Sequence, residues 1–118
     1  MFPGLTEGIG KMAITTSQTT EEVVVKVIGD LDLTTVGEFQ AVVDKALDAK
    51  DNRRLVIDLR ETDYIDSAGL EQLLVVNRKL IPKGDRILVR VEPGKQPQSV
   101  LSITGFGAVM DIEPLPGT

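Results

Sequence analysis

Apolar residues along the chain form two kinds of pattern: short β-branched runs, and longer stripes with apolar residues three or four positions apart. The first kind predicts strands and the second predicts amphipathic helices. In chain order, the predicted strands are residues 11–17, 22–29, 54–59, 86–91 and 109–112. The predicted helices follow Thr35 and end near residues 50–52, run from residue 67 to about residue 81, and run from residue 97 to residue 104. Alternation of strands and helices implies right-handed crossovers and a mostly parallel sheet with helices packed on it. The sequence therefore predicts one α/β domain with a four- to five-stranded sheet and the element order β-β-α-β-α-β-α-β.

Short segments without periodicity flank the predicted domain. Residues 1–11 are rich in glycine and predict a flexible N-terminal arm, residues 12–113 form the domain, and residues 114–118 form a C-terminal tail. The first residues lack the basic start and apolar stretch of a signal peptide, and no apolar run approaches the ~20 residues of a membrane span. We therefore expect a cytoplasmic protein that does not bind membranes.

Composition removes several classes of function. The chain has no cysteine and no histidine, which excludes Ser-His-Asp catalysis, Cys-His catalysis and thiolate metal sites. It also lacks the glycine-rich phosphate loops of nucleotide-binding proteins. A formal net charge of −5, one tyrosine and no tryptophan argue against nucleic acid as a partner. The sequence predicts a binding protein rather than an enzyme, with no cofactor.

Two predicted helix starts carry residues typical of caps. Thr35 and Glu38 have the spacing of a capping box, with Thr35 as N-cap. Ser67 opens the second predicted helix, where a serine can cap the helix or can carry a phosphate near the positive end of the helix dipole. Local physics favours the capping role. Gly69, however, weakens the first helical turn, which indicates that another group must approach its backbone closely.

Acidic residues are concentrated in residues 20–72, which hold 13 of the 18 carboxylates. Two loops at predicted strand ends share five of them: Asp30, Asp32, Glu61, Asp63 and Asp66. Such loops meet at one edge of a parallel sheet, where ligands bind. A cluster of carboxylates can hold Mg²⁺, or it can be a solvated surface with local turn bonds that a basic partner recognises. No run has the ligand spacing of an EF-hand, and we expect no metal site.

Three stretches in register resemble a known family. The run Asp66-Ser67-Ala68-Gly69-Leu70, following the strand residues 56–59, resembles the signature of STAS domains, and specifically of bacterial anti-sigma factor antagonists. The loop at residues 29–32 resembles the family's Gly-Glu-(Leu/Ile)-Asp loop, and residues 103–106 resemble its glycine turn before the last strand. The similarity covers roughly residues 12–113.

The resemblance implies a switch. In this family the unphosphorylated antagonist binds an anti-sigma factor that is also a serine kinase of the GHKL type, and this binding frees the sigma factor. The kinase phosphorylates the signature serine, here Ser67, and binding is lost until a PP2C-type phosphatase removes the phosphate. The docking surface that the resemblance implies comprises Asp30, Asp32, Asp66, Ser67, Ala68, Gly69 and Glu71. We expect phosphate to change the interface and to leave the fold intact.

Two departures from the family pattern leave other functions open. Glu71 stands where the family often has a small residue, and Asp30 replaces the commoner glutamate. One alternative is an accessory or scaffold STAS subunit, of the stressosome or lipid-transport type, that is not phosphorylated. A less favoured alternative is a receiver-like phosphoacceptor domain. That class needs an aspartate at a strand end and five helices, whereas Asp58 lies inside a predicted strand and three helices are visible.

Overall fold

The structure, a computed structural model, describes residues 12–114 of the chain. The strands are β1 (Met12–Gln18), β2 (Glu22–Leu31), β3 (Arg54–Ile65), β4 (Leu88–Arg90) and β5 (Asp111–Glu113), and the helices are α1 (Val36–Ala49), α2 (Ser67–Leu80) and α3 (Gln96–Ile103). Short 3-10 turns follow α2 at Ile81–Lys83 and precede β5 at Phe106–Ala108. The predicted element order is confirmed. The predicted N-terminal arm and nearly all of the predicted tail lie outside the described residues.

The five strands form one sheet in the order β1-β2-β3-β4-β5. Strand β1 pairs with β2 in the antiparallel direction, and the other three pairings are parallel. The sheet is therefore mixed, with an antiparallel edge strand on a parallel core. The prediction of a mostly parallel sheet is confirmed.

Strand β3 runs six residues beyond its predicted end at Leu59. Its polar second half stays paired with the last part of β2 through two register shifts, one between Lys26 and Ile28 and one between Gly29 and Asp30. Gly29 has a φ of 104°, a backbone conformation that favours glycine. These long-range pairings extend both strands to the edge where the candidate site lies. Strands β4 and β5, at three residues each, are shorter than predicted.

One apolar core lies between the sheet and the helices. Alternate residues Val23, Val25 and Val27 of β2 belong to the same buried cluster as residues from all three helices. The helices therefore cover one face of the sheet. The most deeply buried side chains of this core include Phe39, Leu31, Leu55, Ile57, Leu59, Ile65, Leu73, Leu80, Ile87, Leu101 and Met110.

The opposite face of the sheet carries ion pairs that cross the strands. Arg90 of β4 lies 2.9 Å from the Glu22 carboxylate on β2 and 3.1 Å from the Glu113 carboxylate on β5. Asp58 of β3 is buried and accepts hydrogen bonds from the Arg60 guanidinium at 2.9 and 3.0 Å. Burial by itself raises the pKa of Asp58, but its hydrogen bonds and the Arg60 charge outweigh burial, and the net effect lowers this pKa below its ordinary value.

The predicted capping box at the start of α1 is wrong in its side-chain part. Thr35 is the N-cap residue, but its hydroxyl makes no capping bond to the helix. The hydroxyl instead donates to the Asp30 carbonyl at 3.0 Å and accepts from the Asp32 backbone N–H at 2.9 Å. Thr35 therefore stabilises the loop between β2 and α1, because its hydroxyl gives two backbone groups of that loop the hydrogen-bond partners that they need inside the protein.

Candidate functional site

The candidate site lies where β2 and β3 end side by side. Leu31 and Ile65, the last residues of these parallel strands, are paired in the sheet. The chain leaves β2 into the loop at residues 32–35 and leaves β3 almost directly into α2. Loops at the carboxyl ends of parallel strands are the usual ligand-binding edge of an α/β fold. The structure thus brings the start of α2 next to the loop after β2.

Asp66, and not Ser67, caps helix α2. The Asp66 Oδ1 atom accepts from the backbone N–H of Gly69 at 3.0 Å, and its Oδ2 atom accepts from the backbone N–H of Leu33 at 3.1 Å. Both carboxylate oxygens thus bind backbone groups, one in the helix and one in the neighbouring loop. Ser67 is the first residue inside the helix and is exposed, and its hydroxyl makes no hydrogen bond within residues 12–114. The capping role favoured for Ser67 by local physics is therefore wrong.

Gly69 permits the close approach that the sequence indicated. A Cβ atom at this position would lie 2.5 Å from the Leu31 carbonyl oxygen and 2.7 Å from the Ile65 side chain. The approaching groups belong to the ends of β2 and β3, which press against the first turn of α2. Gly69 is buried, so its place in the site is to let the helix start against the strands.

The loop after β2 exposes the apolar side chain of Leu33 to solvent. The Asp32 Oδ1 atom accepts from the Thr34 backbone N–H at 2.9 Å and from the Thr34 hydroxyl at 2.6 Å, which closes a tight turn. Asp32 itself is buried, and Leu33 at the tip of this turn is 74% exposed. Sequence reasoning missed Leu33. Its signal was an apolar residue within a polar loop that joins a strand to a helix.

A shallow groove of about 500 Å³ runs along the start of α2. Its walls are formed by Leu33, Asp66, Ser67, Ala68, Leu70, Glu71 and Leu74, and we call it the Ser67 groove. Of the predicted surface residues, Asp66, Ser67, Ala68 and Glu71 lie in this groove. Asp30, Asp32 and Gly69 do not line it and instead build the backbone that supports it. Most of the exposed surface of the groove is apolar, and carboxylates stand in it at Asp66 and Glu71.

The other predicted acidic residues do not converge on this groove. Asp63 lies 3.2 Å from the Lys95 ammonium, and Glu61 lies 2.5 Å from the Lys26 ammonium. In residues 12–114 no three acidic side chains are grouped closely enough to hold a metal ion. Over the same residues, no helix has the length and apolar character needed to cross a membrane.

Comparisons with known proteins agree on one family. A family model described as "Mlab, STAS domain" matches residues 14–113. BtrV of Bordetella bronchiseptica, provisionally named an anti-sigma factor antagonist, is 36% identical over 76 residues. That match covers 64% of this chain and 60% of BtrV, so it spans less than two thirds of the relative's length.

Solved structures show the same fold. An anti-sigma factor antagonist from Mycobacterium paratuberculosis superposes with a TM-score of 0.77 at 22% identity, covering 89% of this chain and 87% of that one. SpoIIAA, an anti-sigma factor antagonist, matches in its unphosphorylated form with a TM-score of 0.68 at 22% identity, covering 85% and 87%. The phosphorylated form of SpoIIAA from Bacillus matches with a TM-score of 0.63 at 23% identity, covering 85% and 90%. Because the family model matches residues 14–113, this chain belongs to the STAS domain family.

Proposed function

We propose that this protein is an anti-sigma factor antagonist that binds its partner through the Ser67 groove and is switched off by phosphorylation of Ser67. The observation that carries the proposal is the state of Ser67 itself. Ser67 is exposed, and its hydroxyl makes no hydrogen bond in residues 12–114, because the Asp66 carboxylate caps the helix instead. Ser67 therefore does not cap the helix, and its hydroxyl, at the edge of the groove, is available for phosphorylation and for contact with a partner.

The unmodified groove suits a protein partner. Leu33 stands 74% exposed beside the half-buried side chains of Leu70 and Leu74. An exposed apolar patch rimmed by polar groups is typical of a protein-binding site. The names of BtrV and of the superposing structures support an anti-sigma factor as that partner.

A phosphate on Ser67 would oppose docking by charge and by hydration. It adds about −1.5 to −2 charge at pH 7. The helix N-terminus favours this charge by about 0.3–1 kcal/mol, which protects the fold. Glu71 lies one turn further along the same helix face, and like charges at that spacing repel. The charge of Asp66, the residue before the phosphate, adds to this repulsion by Coulomb's law. Covering a dianion beside these carboxylates with an apolar partner surface requires its dehydration, which is strongly unfavourable.

The resemblance supplies the rest of the cycle. The partner would be an anti-sigma factor with serine kinase activity of the GHKL type, and a PP2C-type phosphatase would restore binding. The chain would act in the cytoplasm as a regulatory binding module without catalysis of its own. SpoIIAA matches this chain in both its phosphorylated and its unphosphorylated form, which supports a modification that leaves the fold intact.

The test uses a candidate anti-sigma kinase from the same genome. The protein is incubated with the kinase and ATP, and the modified residue is located by mass spectrometry. Binding to the kinase is then measured for the wild type, Ser67→Ala and Ser67→Asp, with Ser99→Asp on an exposed position of α3 as the matched control. We expect modification at Ser67, and loss of binding for Ser67→Asp alone. Equal binding by the wild type and Ser67→Asp would refute the proposal.

A second candidate function is an accessory or scaffold STAS subunit that is never phosphorylated. The position of Glu71 favours it, because this carboxylate lines the same groove as Ser67 and disfavours a phosphate there. Neighbouring genes separate the two functions. A serine kinase and a sigma factor beside the gene support the switch, whereas transporter genes support the accessory subunit.

A further inference from the structure

A second groove lies at the other end of helix α2. It has a volume of about 440 Å³ and is lined by Leu74, Asn77, Arg78, Ile81, Arg86, Ala108 and Val109, and we call it the Arg78 groove. Ile81 is 47% exposed and Val109 is 43% exposed, although both are apolar. The groove therefore offers solvent-exposed apolar surface between α2 and the segment that leads into β5.

A buried side chain fixes the two walls of the Arg78 groove. The Asn77 amide Nδ2 donates to the Val109 carbonyl at 2.7 Å, and its Oδ1 atom accepts from the Ile87 backbone N–H at 2.9 Å. Asn77 is only 2% exposed, so these hydrogen bonds are shielded from water. The groove is preformed, and a preformed site binds without the entropic loss of ordering its walls.

The two grooves form one continuous strip. Leu74 lines both of them. Ser67, Leu74, Arg78 and Ile81 are spaced by helical repeats and lie on one face of α2 and of the turn that follows it. The 14 residues of α2 make the strip about 21 Å long. This length matches a helix of similar size lying alongside α2.

The charge of the strip changes along its length. The Ser67 groove carries Asp66 and Glu71, whereas the Arg78 groove carries two arginines. Arg86 lies 3.1 Å from the Asp111 carboxylate, but Arg78 forms no ion pair within residues 12–114 and only a 3.5 Å bond to the Leu74 carbonyl. An uncompensated cation beside apolar surface is complementary to a partner that carries carboxylates beside apolar side chains.

We propose that the Arg78 groove is the second half of the docking surface and binds an acidic amphipathic helix of the protein partner. Apolar side chains of that helix pack on Leu74, Ile81 and Val109, and a carboxylate at its rim pairs with Arg78. The partner's contacts then run along the whole of α2, with the apolar end near Ser67 and the acidic end near Arg78. This inference rests on the proposed function, because it names a further segment of the same partner.

A synthetic peptide probe tests the groove directly. The probe is an amphipathic helix of about 14 residues with leucine on one face and glutamate along the rim, and its twin has lysine in place of every glutamate. Each peptide is titrated into the 15N-labelled full chain. We expect the acidic peptide to shift the amide signals of Ile81 and Val109, and the basic peptide to leave them unchanged. Absence of these shifts, or equal shifts with the basic peptide, overturns the inference.

Two charge reversals supply the matched control. Arg78→Glu lies in the Arg78 groove, whereas Lys83→Glu makes the same change in net charge at an exposed position just outside it. Arg78→Glu should weaken binding of the acidic peptide about tenfold or more, and Lys83→Glu should change it less than about twofold. Equal effects of the two variants would show a general charge effect and overturn the inference. Amide shifts that depend on protein concentration without peptide would assign the groove to a second copy of the chain, which also overturns it.

The same variants separate this inference from the function on which it rests. Binding to the anti-sigma kinase should fall for both Ser67→Asp and Arg78→Glu. Loss with Ser67→Asp but not with Arg78→Glu leaves the switch standing and refutes the second half of the docking surface. No loss with Ser67→Asp refutes the switch itself, whatever the peptide does.

Discussion

The Asp66 carboxylate binds the backbone N–H of Leu33 at 3.1 Å and so ties the start of α2 to the loop that follows β2. The same carboxylate caps α2 through Gly69. One side chain thus sets the position of the helix and of the exposed leucine beside it. Ser67, the next residue along, takes no part in either bond and remains free for other chemistry.

Asp66→Ala should destabilise the protein by about 1–2 kcal/mol, because α2 loses its cap and the loop loses its anchor. Ser67→Ala should change the free energy of unfolding by less than about 0.5 kcal/mol. Urea denaturation of the two variants measures both values. Equal destabilisation by the two substitutions would contradict the assignment of the helix cap to Asp66 alone.

Gly69→Ala should destabilise the protein by about 1–3 kcal/mol, because its Cβ atom would lie 2.5 Å from the Leu31 carbonyl oxygen. Gly37→Ala is the matched control, since Gly37 lies in the first turn of α1 and a Cβ atom there would meet nothing within 4 Å. That variant should keep or raise stability, by at most about 1 kcal/mol. Thermal and urea unfolding measure the stability of the Gly69→Ala and Gly37→Ala proteins. A Gly69→Ala protein as stable as the wild type would contradict the tight packing around Gly69.

Leu33→Asn should weaken binding to the proposed anti-sigma kinase by about 1–2 kcal/mol and leave the free energy of unfolding unchanged within about 0.5 kcal/mol. The reason is that its side chain is exposed in the free protein and would be covered in the complex. Ile103→Asn is the control, because Ile103 is 85% exposed and lines neither groove. Isothermal titration calorimetry gives the affinities. An equal loss of binding for the two variants would contradict a specific contribution of Leu33 to the interface.

The free energy of unfolding should depend on pH through the ionisation of Asp58. Its folded pKa is below the ordinary value, so its ionised form stabilises the fold at neutral pH, and this contribution is lost as the pH falls through that lowered pKa. Asp58→Asn should therefore be less stable than the wild type at pH 7 and should lose less stability on acidification from about pH 5 to pH 2. Melting temperatures across this range measure the slope. An Asp58→Asn protein whose melting temperature falls with acid as steeply as that of the wild type would contradict this role.

The sequence was sufficient for the order of elements but not for the lengths of the strands. Helical periodicity after Thr35 and after Asp66 is a local property, and α1 and α2 lie where it predicted helices. Residues 60–65 are mostly polar, and their strand structure comes from pairing with residues 28–31, which are distant in sequence. Local patterns carry no information about such a pairing, so the prediction ended β3 too early.

The candidate site was predicted in part. The run from Asp66 to Leu70 was identified, but its first two residues are both good caps, and only the geometry of the helix start assigns the cap to Asp66. A close approach of another group to Gly69 was predicted from the energetic penalty of glycine in a helix. The structure was needed to identify the approaching groups, which are the Leu31 carbonyl and the Ile65 side chain. Leu33 was missed because its exposure depends on a turn closed by Asp32 and Thr34.

The two bonds of Asp66 also bear on how this protein can evolve. The negative charge beside Ser67 holds the helix and the loop in place, so a lineage that discards it must first pass through a less stable protein. Any anion at Ser67 therefore meets a repelling neighbour that the fold itself requires. A substitution that removed this repulsion would also remove the helix cap, so the response to charge at Ser67 is tied to the stability of the fold.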